Sequence, residues 1–308
     1  MNSEATKSQF KQNAVCVVIP TYNNGKTVLD VVRKVSEYCE DIIVVNDGST
    51  DETAKVLETL TIEAPQAETQ TTKTQSIETP LSGDTPQVVE TPQTIETHGR
   101  ASLHTNITIV THPVNKGKGK ALTTGFQAAM DKGFRYAITM DADGQHYASD
   151  LPAFVEALAT HPDTLIVGSR QFDQPNMPQK NTFANRFSNF WFTVHTGKKI
   201  PDTQTGYRLY PIDKMGKMKL LSSRYETELA LLVRSAWRGI SIYPIPINVY
   251  YPPEEERVSH FRPGPDFLRI SLLNTFFTFA AILYGYPAML YHYIKFKIQN
   301  SKFKDRNP

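Results

Sequence analysis

The chain has 308 residues, 40% of them apolar, and a formal charge of +2. That is enough to bury one core of ordinary domain size with length left over, and too little basic excess for a dedicated nucleic-acid binder. Its two cysteines, Cys16 and Cys39, have no neighbours at metal-ligand spacing, which argues against a disulfide framework and structural zinc.

Residues 1–13 are polar, lack the apolar centre of a secretory signal and are expected to form a tail outside the fold, which then stays in the cytoplasm. Val15 to Pro20 is brief, β-branched and stopped by proline, which predicts a buried strand. Lys26 to Cys39 has helical spacing, with Val28, Val31, Val32 and Val35 on one face. Ile42 to Val45 reads as a second buried strand, and Ser49 with Glu52 as a capping box opening a helix from Asp51 to Leu60. Thr61 to Asn106 breaks the pattern. It is rich in Thr, Glu, Gln and Pro, with near-repeats at Glu78-Thr79-Pro80 and Glu90-Thr91-Pro92, and has too few large apolar residues to repay the entropy of ordering. It is expected to be a disordered low-complexity insertion, with a docking or modification segment as the functional alternative.

The alternation then resumes. Ile107 to Val110, Tyr136 to Met140 and Leu165 to Gly168 read as strands; Lys118 to Lys132 and Asp150 to Thr160 read as helices. Strand alternating with helix predicts an α/β fold with a mainly parallel sheet flanked by helices. Ile270 to Tyr286 is apolar and aromatic, and Gly285-Tyr286-Pro287 interrupts it before Ala288 to Ile294 resumes the character. At ~1.5 Å per residue the first part reaches about 25 Å, short of the ~30 Å hydrocarbon core. Arg262 and Arg269 precede it, and Lys295, Lys297, Lys302 and Lys304 follow it. A hairpin hinged at Gly285-Tyr286-Pro287, or an interfacial helix, keeps both basic clusters on the cytoplasmic side. The expectation is membrane attachment without a full crossing, the alternative a helix packed on the soluble domain.

In open α/β sheets ligands bind beyond the carboxyl ends of strands. Four predicted strands end there in polar segments: Pro20-Thr21-Tyr22-Asn23-Asn24, Asn46-Asp47-Gly48-Ser49, Asn115-Lys116-Gly117-Lys118-Gly119-Lys120 and Asp141-Ala142-Asp143-Gly144-Gln145. Asp-Gly-Ser alone is an ordinary turn, and the glycine-lysine run fails both the P-loop and Rossmann spacings. The last segment is the most specific. Residues two apart in an extended segment project to one side, so Asp141 and Asp143 can converge on a cation with Gln145 as a third oxygen donor. Hard oxygen ligands favour Mg²⁺ or Mn²⁺ over zinc. A solvated turn is the plain alternative, and His146 beside it is expected to face solvent.

In their order these segments, with Val167-Gly168-Ser169-Arg170 and Thr205-Gly206-Tyr207-Arg208, resemble family 2 glycosyltransferases of the GT-A fold. The likeness is to the branch containing dolichyl-phosphate mannose synthase and bacterial polyprenyl-phosphate relatives. It implies a Rossmann-like catalytic domain over 14–253, with 61–106 as the insertion, and a membrane-associated segment with a basic tail over 254–308. It implies an inverting hexosyl transfer from a nucleoside-diphosphate sugar to a dolichyl or undecaprenyl phosphate. Carried over, Pro20, Tyr22, Asn24 and Asp47 line the nucleoside pocket with Lys118 close by, and Asp141, Asp143 and Gln145 hold the metal. Arg170 and Arg186 correspond to residues near the acceptor phosphate, and Arg257 to a further arginine there. Asn24 and Asn46 replace the family's usual acidic residues, and Glu256 to Arg262 departs from its Arg-x-x-Gly-x-Ser-Lys ending.

A phosphate acceptor is already largely dianionic at neutral pH, its second pKa being ~6, and needs arginines rather than a base. A lipid hydroxyl acceptor would need a carboxylate, Asp202 or Glu226. Glu226 and Glu228 otherwise read as a solvated helix start. A catalytically silent nucleotide-sugar binder would be expected to lose the Asp-x-Asp pair, which is intact here.

Overall fold

The computed structural model describes residues 3–62, 87–95, 103–171, 179–216, 226–251 and 263–304. An eight-stranded sheet carries the fold, in the order β3-β4-β2-β1-β5-β7-β6-β8. Its parallel centre comprises β4 (Leu103–Thr111), β2 (Asp41–Asn46), β1 (Val15–Thr21) and β5 (Tyr136–Thr139). Beyond β5 the short β7 (Arg208–Tyr210) runs antiparallel to both β5 and β6 (Leu165–Arg170), and β8 (Ile242–Ile247) pairs parallel with β6.

The sheet is covered on both faces, so its central strands are apolar on both sides. Val17, Ile19, Ile42 and Val44 face one core, closed by α2 (Val28–Ser36), α3 (Thr53–Ile62) and α5 (Leu151–Thr160). Cys16, Val18, Ile43 and Val45 face the other, beneath α4 (Lys118–Asp131) and α8 (Glu226–Trp237). Both thiols are buried and free.

Four sequence expectations are corrected. The N-terminal stretch is not a loose tail, because Ser3–Gln12 form α1, with Thr6, Lys7 and Phe10 buried on one face against the domain. Positions i and i+4 share a helix face, so one aromatic with an adjacent lysine stem is enough to seat it. The capping box does not form: Asp51 caps α3, accepting from the Thr53 amide at 3.0 Å and hydroxyl at 2.5 Å, while Ser49 accepts from the Asn23 amide at 3.0 Å.

The expected insertion, thirdly, contains β3 (Gln87–Ile95), antiparallel to β4 from Gln87↔Thr111 to Ile95↔Leu103. The open edge of β4 supplies the hydrogen-bond partners that composition could not reveal, and Pro92 is tolerated because β3 is itself an edge strand. Residues 63–86 and 96–102 of that segment lie outside the described residues.

Finally, of the hairpin and the interfacial helix that were expected, the hairpin is corrected: the chain does not turn back at Gly285-Tyr286-Pro287. α9 (Pro263–Ala280) passes through a π-helical turn, Ala281–Gly285, into α10 (Tyr286–Lys304). The wide turn, with the Tyr286 N–H bonded back to the Ala281 carbonyl, lies just before Pro287 and takes up the change in register that a residue without an N–H imposes inside a continuous helix. Ile270–Gln299, 30 residues, are long and apolar enough to cross a membrane by length and composition. Yet one stripe of this helix is docked. Phe277 packs edge-on to Trp237, Asn274 O accepts from His195 Nε2 at 3.2 Å, and Tyr286 Oη donates to Val194 O at 2.6 Å.

Candidate active site

The polar segments after β1, β2, β4 and β5 meet along one edge of the sheet. Asp47, just beyond β2, is buried and accepts from the amides of Lys116 at 2.9 Å and Gly117 at 2.7 Å. It also pairs with His112 Nδ1 at 2.6 Å, and His112 Nε2 lies 3.0 Å from Thr124 Oγ1 on α4 (α6 below spans Gln179–Thr196). Asp47 therefore fixes the 113–117 loop and the start of α4. Gly48 allows this, with φ of 66° and a missing Cβ that would lie 2.3 Å from the Val114 carbonyl carbon. Asn46 Oδ1 closes the turn on the Ser49 amide at 3.1 Å.

Tyr22 is 40% exposed at the cleft mouth. Asn24 Oδ1 accepts from Thr21 Oγ1 and the Tyr22 amide, both at 3.3 Å, shaping that loop. Pro20 is buried in β1, paired in register with Val45, and lies beneath the cleft.

Lys118, the first residue of α4, reaches across to the β5 end. Its Nζ lies 2.7 Å from Asp141 Oδ1, 2.9 Å from Oδ2 and 2.6 Å from Glu228 Oε1 on α8. Burial alone would lower the lysine pKa, but the charges of Asp141 and Glu228 outweigh it and hold it well above its usual range. Asp141 shifts downward: burial opposes its ionisation, and Lys118 more than compensates. Gly206 presses on this cluster, since a Cβ there would come within 2.8 Å of Asp141 Oδ2 and 3.0 Å of Lys118 Nζ. Thr139 Oγ1 pins the Gly206 carbonyl at 2.5 Å. Behind them Arg208 is fully buried and donates to the Glu228 and Thr203 carbonyls, both at 2.8 Å.

Asp143 is different. It is exposed at the rim, has no cationic partner at ion-pair distance among the described residues, and accepts only the Gln145 amide, at 3.0 Å. Although the residue reaches solvent, loss of water from the side facing the chain and then the charge of Asp141 push its carboxyl up to about 6. The Gln145 carbonyl accepts from the Tyr250 amide at 2.8 Å, so the loop is tied to the strand-like segment leaving β8. Two carboxylates and an amide oxygen at a strand end suit a hard divalent cation, and an ionised Asp143 wants one. His146 does not face solvent as expected: its ring lies 5.0 Å from Tyr207, and burial lowers its pKa to about 4.

Arg170 ends β6 and is clamped on Asp202, Nε to Oδ2 at 2.6 Å and Nη2 to Oδ1 at 3.0 Å, with Asp202 fully buried. Arg186 sits exposed on α6, whose Asn185 and Asn189 both donate to the Pro201 carbonyl, at 3.0 and 2.7 Å. That ties α6 to the loop holding Asp202. Arg257 lies outside the described residues. Sequence reasoning missed Glu228, Arg208 and His112 as parts of the site. Glu228 looked like a solvated helix start but is buried, and only the pairing of α8 with α4 reveals why.

The sequence profile described as glycosyl transferase family 2 matches residues 16–69 and 86–216, so that the family pattern includes β3 and the unmatched stretch shrinks to residues 70–85. Replacing 70–85 by a few glycines and serines should leave the melting temperature within a few degrees, because loop closure changes by only about 0.6 kcal/mol per halving. Removing Gln87–Ile95 as well should lower it clearly, since the whole β3–β4 ladder goes; thermal unfolding of both deletions checks this.

The chain is 29% identical over 243 residues to the UDP-N-acetylglucosamine–dolichyl-phosphate N-acetylglucosaminyltransferase of Methanococcus voltae, covering 77% of this chain and 86% of that protein. It is 26% identical to the polyprenol monophosphomannose synthase of Mycolicibacterium smegmatis, over 75% of this chain and 76% of that one. Its fold is similar to glucosyl-3-phosphoglycerate synthase from Mycobacterium tuberculosis, solved with Mn²⁺, UDP-glucose and phosphoglyceric acid: TM-score 0.52 at 15% identity, over 83% of this chain and 78% of that one. With more than half of its residues matched to the family's profile, and with this sheet order, the chain belongs to glycosyl transferase family 2.

Proposed function

We propose that the protein transfers a sugar from a nucleoside-diphosphate sugar to a polyprenyl phosphate, with Mg²⁺ or Mn²⁺ held by Asp143, Asp141 and Gln145. The observation that carries this reading is the Asp141–Asp143 segment at the end of β5, facing Lys118 across the cleft formed by the other strand ends. Relatives whose names specify dolichyl, polyprenol and undecaprenyl phosphate acceptors support it. When bound, the cation neutralises negative charge gathering on the departing diphosphate. The chain's own residues orient the reactants. Tyr22 and Asn24 border the nucleoside, Asp47 and His112 fix the loop beside it, and Lys118 offers a point charge to the diphosphate.

The acceptor's chemistry follows from the arginines. The hydroxyl reading needs a free carboxylate base, and of its two candidates, Asp202 and Glu226, the first is fully buried and clamped by Arg170. A phosphate nucleophile needs only donors to hold it, and the exposed Arg186 on α6 suits that role. The lipid's home is the membrane. Opposite its docked stripe, the C-terminal helix exposes Leu272, Phe276, Phe279, Leu283, Leu290 and Ile294, flanked by exposed Lys295 and Lys297. Docking by Asn274, Phe277 and Tyr286 keeps this helix along the domain, so it lies in the interface on the cytoplasmic face rather than crossing.

The test incubates purified protein and Mn²⁺ with a panel of nucleotide sugars and either undecaprenyl phosphate or undecaprenol. Transfer to the phosphate alone is expected. Transfer only to the alcohol overturns the acceptor assignment, and donor binding with no transfer to either marks a silent binder. The cation needs ionised Asp143, whose pKa is raised to about 6. Mn²⁺ affinity should therefore be level above that pH and fall about ten-fold per unit below it; a flat titration from pH 5 to 7 counts against Asp143 as a ligand.

A further inference from the structure

We propose that Lys118 and Glu228 form a built-in competitor for the divalent cation at Asp141, so that the cation binds together with the donor's diphosphate and only weakly before it. The inference rests on the donor reading above and adds an order of events to it. Lys118 Nζ lies within 2.9 Å of both Asp141 oxygens, the atoms through which that carboxylate would reach a metal. An ammonium at that distance repels a dication from the same oxygens. Glu228 holds the ammonium there from the other side at 2.6 Å, and Gly206 closes the wall, having no room even for a Cβ beside Asp141, Glu228 and Lys118.

The arrangement is not a static ion pair, because only one of its cations can leave. Arg208 is fully buried, held by the Glu228 and Thr203 carbonyls and 3.2 Å from Tyr210 Oη. Lys118 sits on a flexible four-carbon stem with its side chain 27% exposed toward the cleft. A diphosphate in that cleft offers the ammonium stronger acceptors than a carboxylate shared with solvent. Moving onto it, Lys118 frees Asp141, while Arg208, bonded to the Glu228 backbone carbonyl, stays in place. Glu228 is thus a positioning residue acting through Lys118.

The experiment titrates Mn²⁺ alone, followed by the loss of the free-ion paramagnetic resonance signal, into wild type, Lys118→Met and Lys118→Gln at pH 7.5. Melting temperatures report whether each variant folds, and the glutamine variant keeps a hydrogen-bond donor for Asp141 should methionine not be tolerated. Lys118→Met is expected to bind Mn²⁺ at least about ten-fold tighter than wild type, since a positive charge has left a carboxylate cluster. Adding Glu228→Gln to it should change Mn²⁺ affinity far less than the lysine substitution does, because the ammonium that Glu228 positions is already gone. If a folded lysine variant binds Mn²⁺ no more tightly than wild type, the proposal is overturned. Failure of the transferase reading is seen separately, as absence of transfer from every donor by wild type.

Discussion

Asp143→Asn is expected to lower sugar transfer at least about a thousandfold while leaving the protein folded, the largest effect on activity of any single substitution here. Asparagine keeps the shape and the oxygen that accepts from the Gln145 amide but cannot offer a charge to a cation. The stability sign is opposite to that of a paired carboxylate. Because the carboxyl is raised from 3.8 to about 6 in the fold, the penalty of ionising Asp143 builds as pH rises between those two values and is fully present above the second. At neutral pH the asparagine variant should therefore melt at the same temperature as wild type or slightly above it, with the exposure of the rim keeping the gain small. Transfer assays beside calorimetric melting decide it: near-normal turnover, or full wild-type turnover in excess chelator, ends the metal-assisted mechanism.

Arg170→Met is expected to have the largest effect on stability. It strands Asp202, which is fully buried, with the Gln204 amide at 3.0 Å and the Arg170 amide at 3.3 Å as its remaining donors among the described residues. Breaking a buried pair by removing one partner costs about 3–5 kcal/mol, because the remaining charge has lost its counterion. Removing both, in Arg170→Met with Asp202→Asn, should recover part of the loss, and denaturant unfolding of the cycle measures the coupling. Arg170→Lys keeps the charge but loses the two-pronged contact, so its cost should fall between these. If instead Arg170→Met unfolds like wild type while losing transfer, the guanidinium serves the acceptor rather than Asp202.

The placement of the chemistry was legible before any coordinates. Short β-branched runs ending in proline or in Asn-Asp-Gly-Ser can be buried strands and little else, and strands alternating with amphipathic helices leave few arrangements besides a parallel sheet. From that it followed that Tyr22, Asp47, Lys118 and Asp141 lie at one edge, where the structure has them. Family membership was legible too, because the ordered motifs sit on those same strand ends.

What the sequence by itself determined, then, is what local pattern encodes: the α/β alternation, the strand ends and the polar residues on them. What only the tertiary structure decided is partnership across distant segments. β3 forms because β4 offers an open edge, and composition rich in Thr, Glu and Pro gave no sign of that partner. The C-terminal helix continues through Pro287, where a hinged hairpin was one of the two expected forms, because a π turn takes up the proline and docking on Trp237, His195 and Val194 fixes its line. Asp202 changed from a candidate base, and Glu228 from a solvated helix start, to held anions once Arg170 and Lys118 were seen against them. The physical reason is common to all three. A residue's periodicity is set by its neighbours in the chain, whereas its charge state, its burial and the edge it pairs with are set by groups tens of residues away.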